Sequence, residues 1–271
     1  MKGMTLGQYY PADSVLHRMD PRIKILCTIA FIVASFLCVN FFAFILLVAS
    51  AVALIFLSRI PLKVVLRSVR PLIFIMAFTA VLNIFWVTDP GADPLFHWHF
   101  ITIYEKGLYH ALFILLRIVA MVIGTSLFLT YTTSPIALTD AIERLLYPLA
   151  KLHVPVHTFA MMMTIALRFI PTIVDETDKI MSAQKARGAD FESGSLLRRA
   201  KAMIPILVPL FVSAFRIAQD LAMAMEARCY RGGDHRTRMH EMKLKGRDYA
   251  AFAMQAAFLA VIIIEANFAP W

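Results

Sequence analysis

The sequence predicts an all-α polytopic membrane protein, with about five transmembrane helices and a cytoplasmic region built from one short and two long helices. Three observations predict it. Of 271 residues, 60% are hydrophobic and only 17% charged, with a mean hydropathy of +0.70, beyond what a soluble core of this size needs. Apolar runs of bilayer length recur along the chain, and the basic residues concentrate in alternate connections. A net charge of +9 would suit a nucleic-acid partner only on a solvated face of a recognisable binding fold. Here the charges punctuate apolar spans, so no nucleic acid is expected and the lipid bilayer is the first partner. Cys27, Cys38 and Cys229 are odd in number and two fall in expected spans, which argues for reduced thiols.

Spans of roughly 17 to 25 apolar residues cross a bilayer as helices. They fall near residues 23–39, 41–58, 71–88, 107–131 and 248–266. Asn40 separates the first two as a turn residue, and Pro71 stands in a first helical turn, where proline is tolerated. Arg117 lies inside the fourth span, so it is expected to face inward and pair with a carbonyl or carboxylate. The N-terminal segment carries Lys2, Arg18, Arg22 and Lys24, and Arg59, Lys63, Arg67 and Arg70 fill the second link. The 89–105 link has no lysine or arginine but carries Asp89, Asp93, Trp98 and Glu105. The positive-inside rule then places the N-terminus and the 59–70 link in the cytoplasm, and the 89–105 link and the C-terminus outside. The expected division is an N-terminal membrane domain of four spans at 1–131, a cytoplasmic region at 132–247, and a final span and C-terminus at 248–271.

The 132–247 region holds 17 of the 27 basic residues yet stays rich in Leu, Ile, Met, Phe and Val. A short helix is expected from Pro135 to Leu152, opened by Ser134 and Pro135, then long helices from Val156 to Arg187 and from Leu196 to Tyr230. Each long helix would reach roughly 50 Å if straight, with bends at Pro171, Pro205 and Pro209. The apolar start of the first is long enough to pass for a span, but Arg168 interrupts it. It is expected to lie along the inner membrane face, its polar end in the cytoplasm.

Both long helices end alike: Ala183, Ala186, Arg187 and Gly188 correspond to Ala224, Ala227, Arg228 and Cys229. An arginine at a helix C-terminus is favoured by the macrodipole alone, by roughly 0.3–1 kcal/mol, and glycine commonly stops a helix there. The repetition asks for more. Small neighbours let a partner surface approach the backbone while the guanidinium projects as a bidentate donor. The chain has no G-x-x-x-x-G-K-[ST] phosphate loop, so ATP chemistry would have to come from elsewhere. His97 and His99 flank Trp98 without further ligands nearby, a pattern that fits interfacial packing, and no metal site is expected.

From GQYYPADSVLHRMDPRIKIL through ALRFIPTIVDETDKIMSAQKARGADFE to PILVPLF and LAMAMEARCYRGG, the order and spacing of segments resemble the transmembrane (T) component of energy-coupling factor transporters, a branch of the ABC importers. The resemblance implies two crossed coupling helices whose tips, Ala186, Arg187 and Gly188 with Ala227, Arg228 and Cys229, each dock in a groove of one of two cytoplasmic ABC ATPase subunits. It implies a non-catalytic subunit with no cofactor of its own, ATP and Mg being bound by the ATPases. It also implies a separate, exchangeable substrate-binding membrane subunit that captures a vitamin or metal ion. Met161, Met162 and Met163 offer an adaptable surface for that subunit. Cys229 stands where the family has glycine, so the second turn is open to a different geometry, with Gly232 and Gly233 able to end the helix just beyond. The rival reading is a stand-alone secondary transporter. It needs a polar midplane path, for which the spans offer little beyond Arg117 and Glu265.

Overall fold

The computed structural model describes residues 9–86, 96–98, 101–152, 154–191, 193, 195–232 and 242–268. Helices dominate, and they divide into two compact units, residues 7–138 with 241–271 and residues 139–240.

In the first unit, α1 (Pro21–Leu37) starts where Asp20 accepts the Arg22 amide and Pro21 fills the first turn. After Asn40, α2 (Phe41–Ser58) runs to Arg59, whose left-handed backbone (φ 55°) stops it. The expected 59–70 loop is instead largely the short amphipathic α3 (Leu62–Val69), which buries Val65 fully. A 3-10 turn at Arg70–Leu72 joins it to α4 (Ile73–Trp86). Pro71 lies in that 3-10 turn, the local departure from α-helical bonding between α3 and α4. A small antiparallel ribbon, β1 (Phe96–Trp98) with β2 (Ile101–Ile103), precedes α5 (Glu105–Thr125). The expected fourth span then finishes in a π turn, Ser126–Thr130, closed by the Tyr131 amide on the Ser126 carbonyl at 2.9 Å. Last comes α9 (Gly246–Phe268).

Helix α1 is the pivot of this unit, packing on both α5 and α9. Phe31, buried, meets the Phe128 ring at 6.1 Å and the Phe258 ring at 6.4 Å. A Cβ on Gly124 would lie 2.2 Å from Phe31 Cε1, so α5 reaches α1 this closely only because residue 124 is glycine. The Asp20 amide bonds Asp248, Phe31 packs on Phe258, and Asn40 bonds the Glu265 carbonyl. Residue numbers rise together along these contacts, so α1 and α9 run parallel. Along α5 they fall instead, from Lys24 on Thr132 through Phe31 on Phe128 to Cys38 on Arg117, so α5 is antiparallel to α1.

Two cations, Lys24 buried and Arg117 half-buried, hold this arrangement. Lys24, expected only as a cytoplasmic charge, is 1% exposed and donates to the Thr132 carbonyl at 2.8 Å and the Thr133 hydroxyl at 3.2 Å. Arg117 donates to the Cys38 carbonyl at 2.5 Å and lies 5.3 Å from the centre of the Phe44 ring. It satisfies the orphan carbonyl at the end of α1, as a carbonyl partner should, and gains a cation–π contact.

In the second unit, α6 (Pro135–Ala150) leads to α7 (Val156–Ala186) and α8 (Leu196–Ala227). The long helices run unbroken through Pro171, Pro205 and Pro209. By length and composition six segments could cross a membrane: Phe41–Ser58, Leu62–Trp86, Glu105–Thr130, Val156–Ala186, Leu197–Ala227 and Gly246–Asn267. Helix α1, with 17 residues, also falls in the bilayer range. The expected list of five therefore differs in composition, since α7 and α8 both qualify and charges such as Arg168 do not disqualify them.

Candidate functional site

The two arginine motifs form the same structure. In α7 the Gly188 amide bonds the Lys185 carbonyl at 3.0 Å and the Ala189 amide reaches back to the Gln184 carbonyl at 3.0 Å. In α8 the Cys229 amide bonds the Glu226 carbonyl at 2.8 Å and the Tyr230 amide reaches the Met225 carbonyl at 3.0 Å. Both are Schellman turns, the arginine at the C-cap and the next residue in the left-handed region. Gly188 has φ 86° and Cys229 φ 55°. The sequence left the second turn open because cysteine replaces glycine; the structure gives it the same hydrogen bonds, with the side chain accepting the left-handed backbone. The helix ends at Ala227 with Arg228 as its cap, before Gly232, and Gly233 lies outside the described residues.

Ala186, Arg187, Gly188, Ala227, Arg228 and Cys229 are all exposed. Among the described residues neither guanidinium makes a hydrogen bond or ion pair, so each helix presents an unspent fork of donors on a bare, small-residue tip.

Their separation follows from how α7 and α8 pack. Ser213 donates to Glu176 at 3.2 Å and Tyr230 to Met161 Sδ at 2.9 Å. Numbers rise along α8 as they fall along α7, so the helices are antiparallel over about four turns. Arg228 thus lies level with the start of α7, whereas Arg187 caps its far end, roughly 40 Å away along the pair. The structure does not bring the arginines together; it places them at opposite ends of one two-helix unit.

The methionine triplet is at the Arg228 end, but consecutive residues step by about 100° around a helix and cannot share one face. Met161 turns to Tyr230, Met162 is exposed, and Met163 lines an apolar cleft of about 50 Å³ between α6 and α7. At that cleft Glu143 pairs with His157 Nδ1 at 2.9 Å, tying α6 to the first turn of α7. A broader apolar surface was overlooked in the sequence. Met203, Ile204, Leu207, Val208, Phe211 and Phe215 are all exposed along α8. Their three- and four-residue spacing marks one helix face; it was legible, but read only as general helix hydrophobicity. The side chains of His97 and His99 lie outside what the structure describes, and no cluster of three or more metal-ligating side chains occurs among the described residues.

Comparison with known proteins fits this architecture. A family model described as "Cobalt transport protein" matches residues 12–240. The chain is 52% identical over 265 residues to the energy-coupling factor transporter transmembrane protein of Clostridium kluyveri, covering 98% of this chain and 97% of the relative. It is 50% identical to the protein so named in Thermosediminibacter oceani, covering 99% of each. Against that of Bacillus subtilis the identity is 44%, covering 97% of this chain and 98% of the relative. With paired helix tips, an apolar helical frame and similarity of this extent, the chain belongs to the family of transmembrane components of energy-coupling factor transporters, subunits of a multi-subunit membrane transport complex.

Proposed function

We propose that this chain is the energy-coupling scaffold of its transporter. The observation that carries the reading is the pair of matched Schellman tips at opposite ends of α7 and α8, each with an exposed, unpaired arginine. Two like tips about 40 Å apart suit two like receptors, and a pair of cytoplasmic ABC ATPase subunits supplies them. Each guanidinium would form charge-assisted, bidentate hydrogen bonds in an ATPase groove, a joint stiff enough to carry displacement. ATP and Mg belong to those partners. This chain contributes no catalytic group, and binds and transmits only.

The antiparallel packing also bears on the membrane. If α7 and α8 crossed the bilayer, their tips would emerge on opposite sides, and only one could meet a cytoplasmic ATPase. The coupling reading therefore lays the pair along the inner membrane face, with its exposed apolar surfaces covered by lipid and protein. An antiparallel pair also returns the chain to the side it left, so the parallel α1 and α9 keep their sense in either case. With the basic N-terminal segment inside, α9 carries the C-terminus outside.

The apolar faces at Met162, Met163 and along α8 from Met203 to Phe215 suit a substrate-binding membrane subunit. Methionine in that surface favours exchangeable partners. On this reading the transported vitamin or metal ion is chosen by that subunit, not by this chain. The test is affinity purification of the tagged chain from membranes, followed by native mass spectrometry. Two ATPase subunits and one further membrane subunit are expected, with the ATPases lost when Arg187 and Arg228 are both changed to alanine. A chain that purifies alone and transports down an ion gradient would instead establish the secondary-transporter alternative.

A further inference from the structure

The two tips share a backbone but not a neighbour. The residue that closes the turn is Ala189 in one and Tyr230 in the other. Ala189 ends at its methyl group. Tyr230 is half-buried, its amide completes the Arg228 turn, and its hydroxyl lies 2.9 Å from Met161 Sδ on α7. One turn earlier on α7, His157 is held by Glu143 of α6, and positions four apart share a helix face. The Arg228 tip thus reaches α7 through Tyr230 on Met161, and one turn away on that face of α7 His157 is tied to Glu143 of α6. No corresponding side chain can leave the Arg187 tip at Ala189.

We propose that Tyr230 is a positioning residue that makes coupling asymmetric: displacement of the Arg228 tip passes directly to the Met161 segment of α7 and on to α6, whereas displacement of the Arg187 tip reaches them only along the length of α7. This rests on the coupling reading above. The Tyr230 hydroxyl donates and the thioether accepts, a weak bond, but one that fixes the register of the turn against α7. Tyr230 needs no contact with ATP or with the transported molecule to act in this way.

The test uses the complete reconstituted complex, with ATP hydrolysis and substrate uptake measured on the same proteoliposomes. Tyr230→Phe removes only the hydroxyl. It should leave the ATPases bound and hydrolysing while uptake per ATP falls about threefold, the scale of one weak hydrogen bond. Met161→Leu should have the same effect, the double variant should be no worse than either single one, and Met161→Gln, which restores an acceptor, should recover most of the loss. Unchanged uptake per ATP in Tyr230→Phe, additive losses, or loss of the ATPases from that variant would each overturn the proposal. Arg228→Ala, run alongside, separates the two levels of inference. If it too leaves uptake intact, the coupling reading fails; if it abolishes uptake while Tyr230→Phe has no effect, only the asymmetry fails.

Discussion

Replacing Cys229 by glycine should tighten the Arg228 tip. Cys229 holds φ 55°, a left-handed conformation that costs an L-residue roughly 1–2 kcal/mol. Glycine removes that strain but gives back about 0.5–1 kcal/mol through its greater freedom in the unfolded chain. The net gain is about 0.5–1 kcal/mol, or roughly a two- to fivefold slower local opening. The matching change at the other tip has the opposite sign. Gly188 has φ 86° with nothing within 4 Å of where a Cβ would lie. Gly188→Ala therefore meets no clash, only backbone strain, and should loosen its turn by about 1 kcal/mol. Hydrogen exchange at the Tyr230 and Ala189 amides, which close the two turns at 3.0 Å, reads both effects in lipid nanodiscs. Protection should rise at Tyr230 in the first variant and fall at Ala189 in the second. Faster exchange at Tyr230 in Cys229→Gly would refute the claim that both tips share one turn geometry.

Other outcomes follow from the same contacts. Gly124→Ala places a Cβ 2.2 Å from Phe31 Cε1, so the Phe31 ring or the helices must shift; a loss of about 1–3 kcal/mol should lower Tm in detergent, with Phe31→Leu in the same chain restoring part of it. Arg117→Gln withdraws the guanidinium from the Cys38 carbonyl and should cost about 1–3 kcal/mol, read as a lower Tm with the complex still able to assemble. Cys27 and Cys38 are buried and Cys229 is exposed, so a maleimide should modify one thiol per native chain, and assembly with the ATPases should protect it.

Much of this was written plainly in the sequence, and where it was not, the reason is physical. The apolar runs announced α1, α2, α5 and α9 because a bilayer helix must be apolar along its length, whatever it packs against. The helix-stop signals at Arg187 and Arg228 were local, and local hydrogen bonds decide them, so the paired tips were legible too. In the 59–70 link the basic residues mark a membrane side, while Val65, buried with Val64 and Val69 packed on the same core, seats a short amphipathic helix. In the sequence Lys24 counts only as a cytoplasmic charge, because nothing local reveals that the Thr132 carbonyl, more than a hundred residues away, accepts from its ammonium group. The opposite placement of the two arginines was hidden for the same reason. It depends on Glu176 meeting Ser213 and Met161 meeting Tyr230, contacts between helices that no periodicity within either one encodes.

The central claim is that Arg187 and Arg228 join this chain to the subunits that hydrolyse ATP, and ATP-driven uptake in reconstituted proteoliposomes tests it most directly. Both tips are exposed and neither arginine supports the fold through a side-chain bond among the described residues, so changing both to alanine should leave the chain folded, at unchanged Tm. The account predicts that uptake in this double variant falls to the level seen without ATP. Uptake at the normal rate from the folded double variant would contradict it.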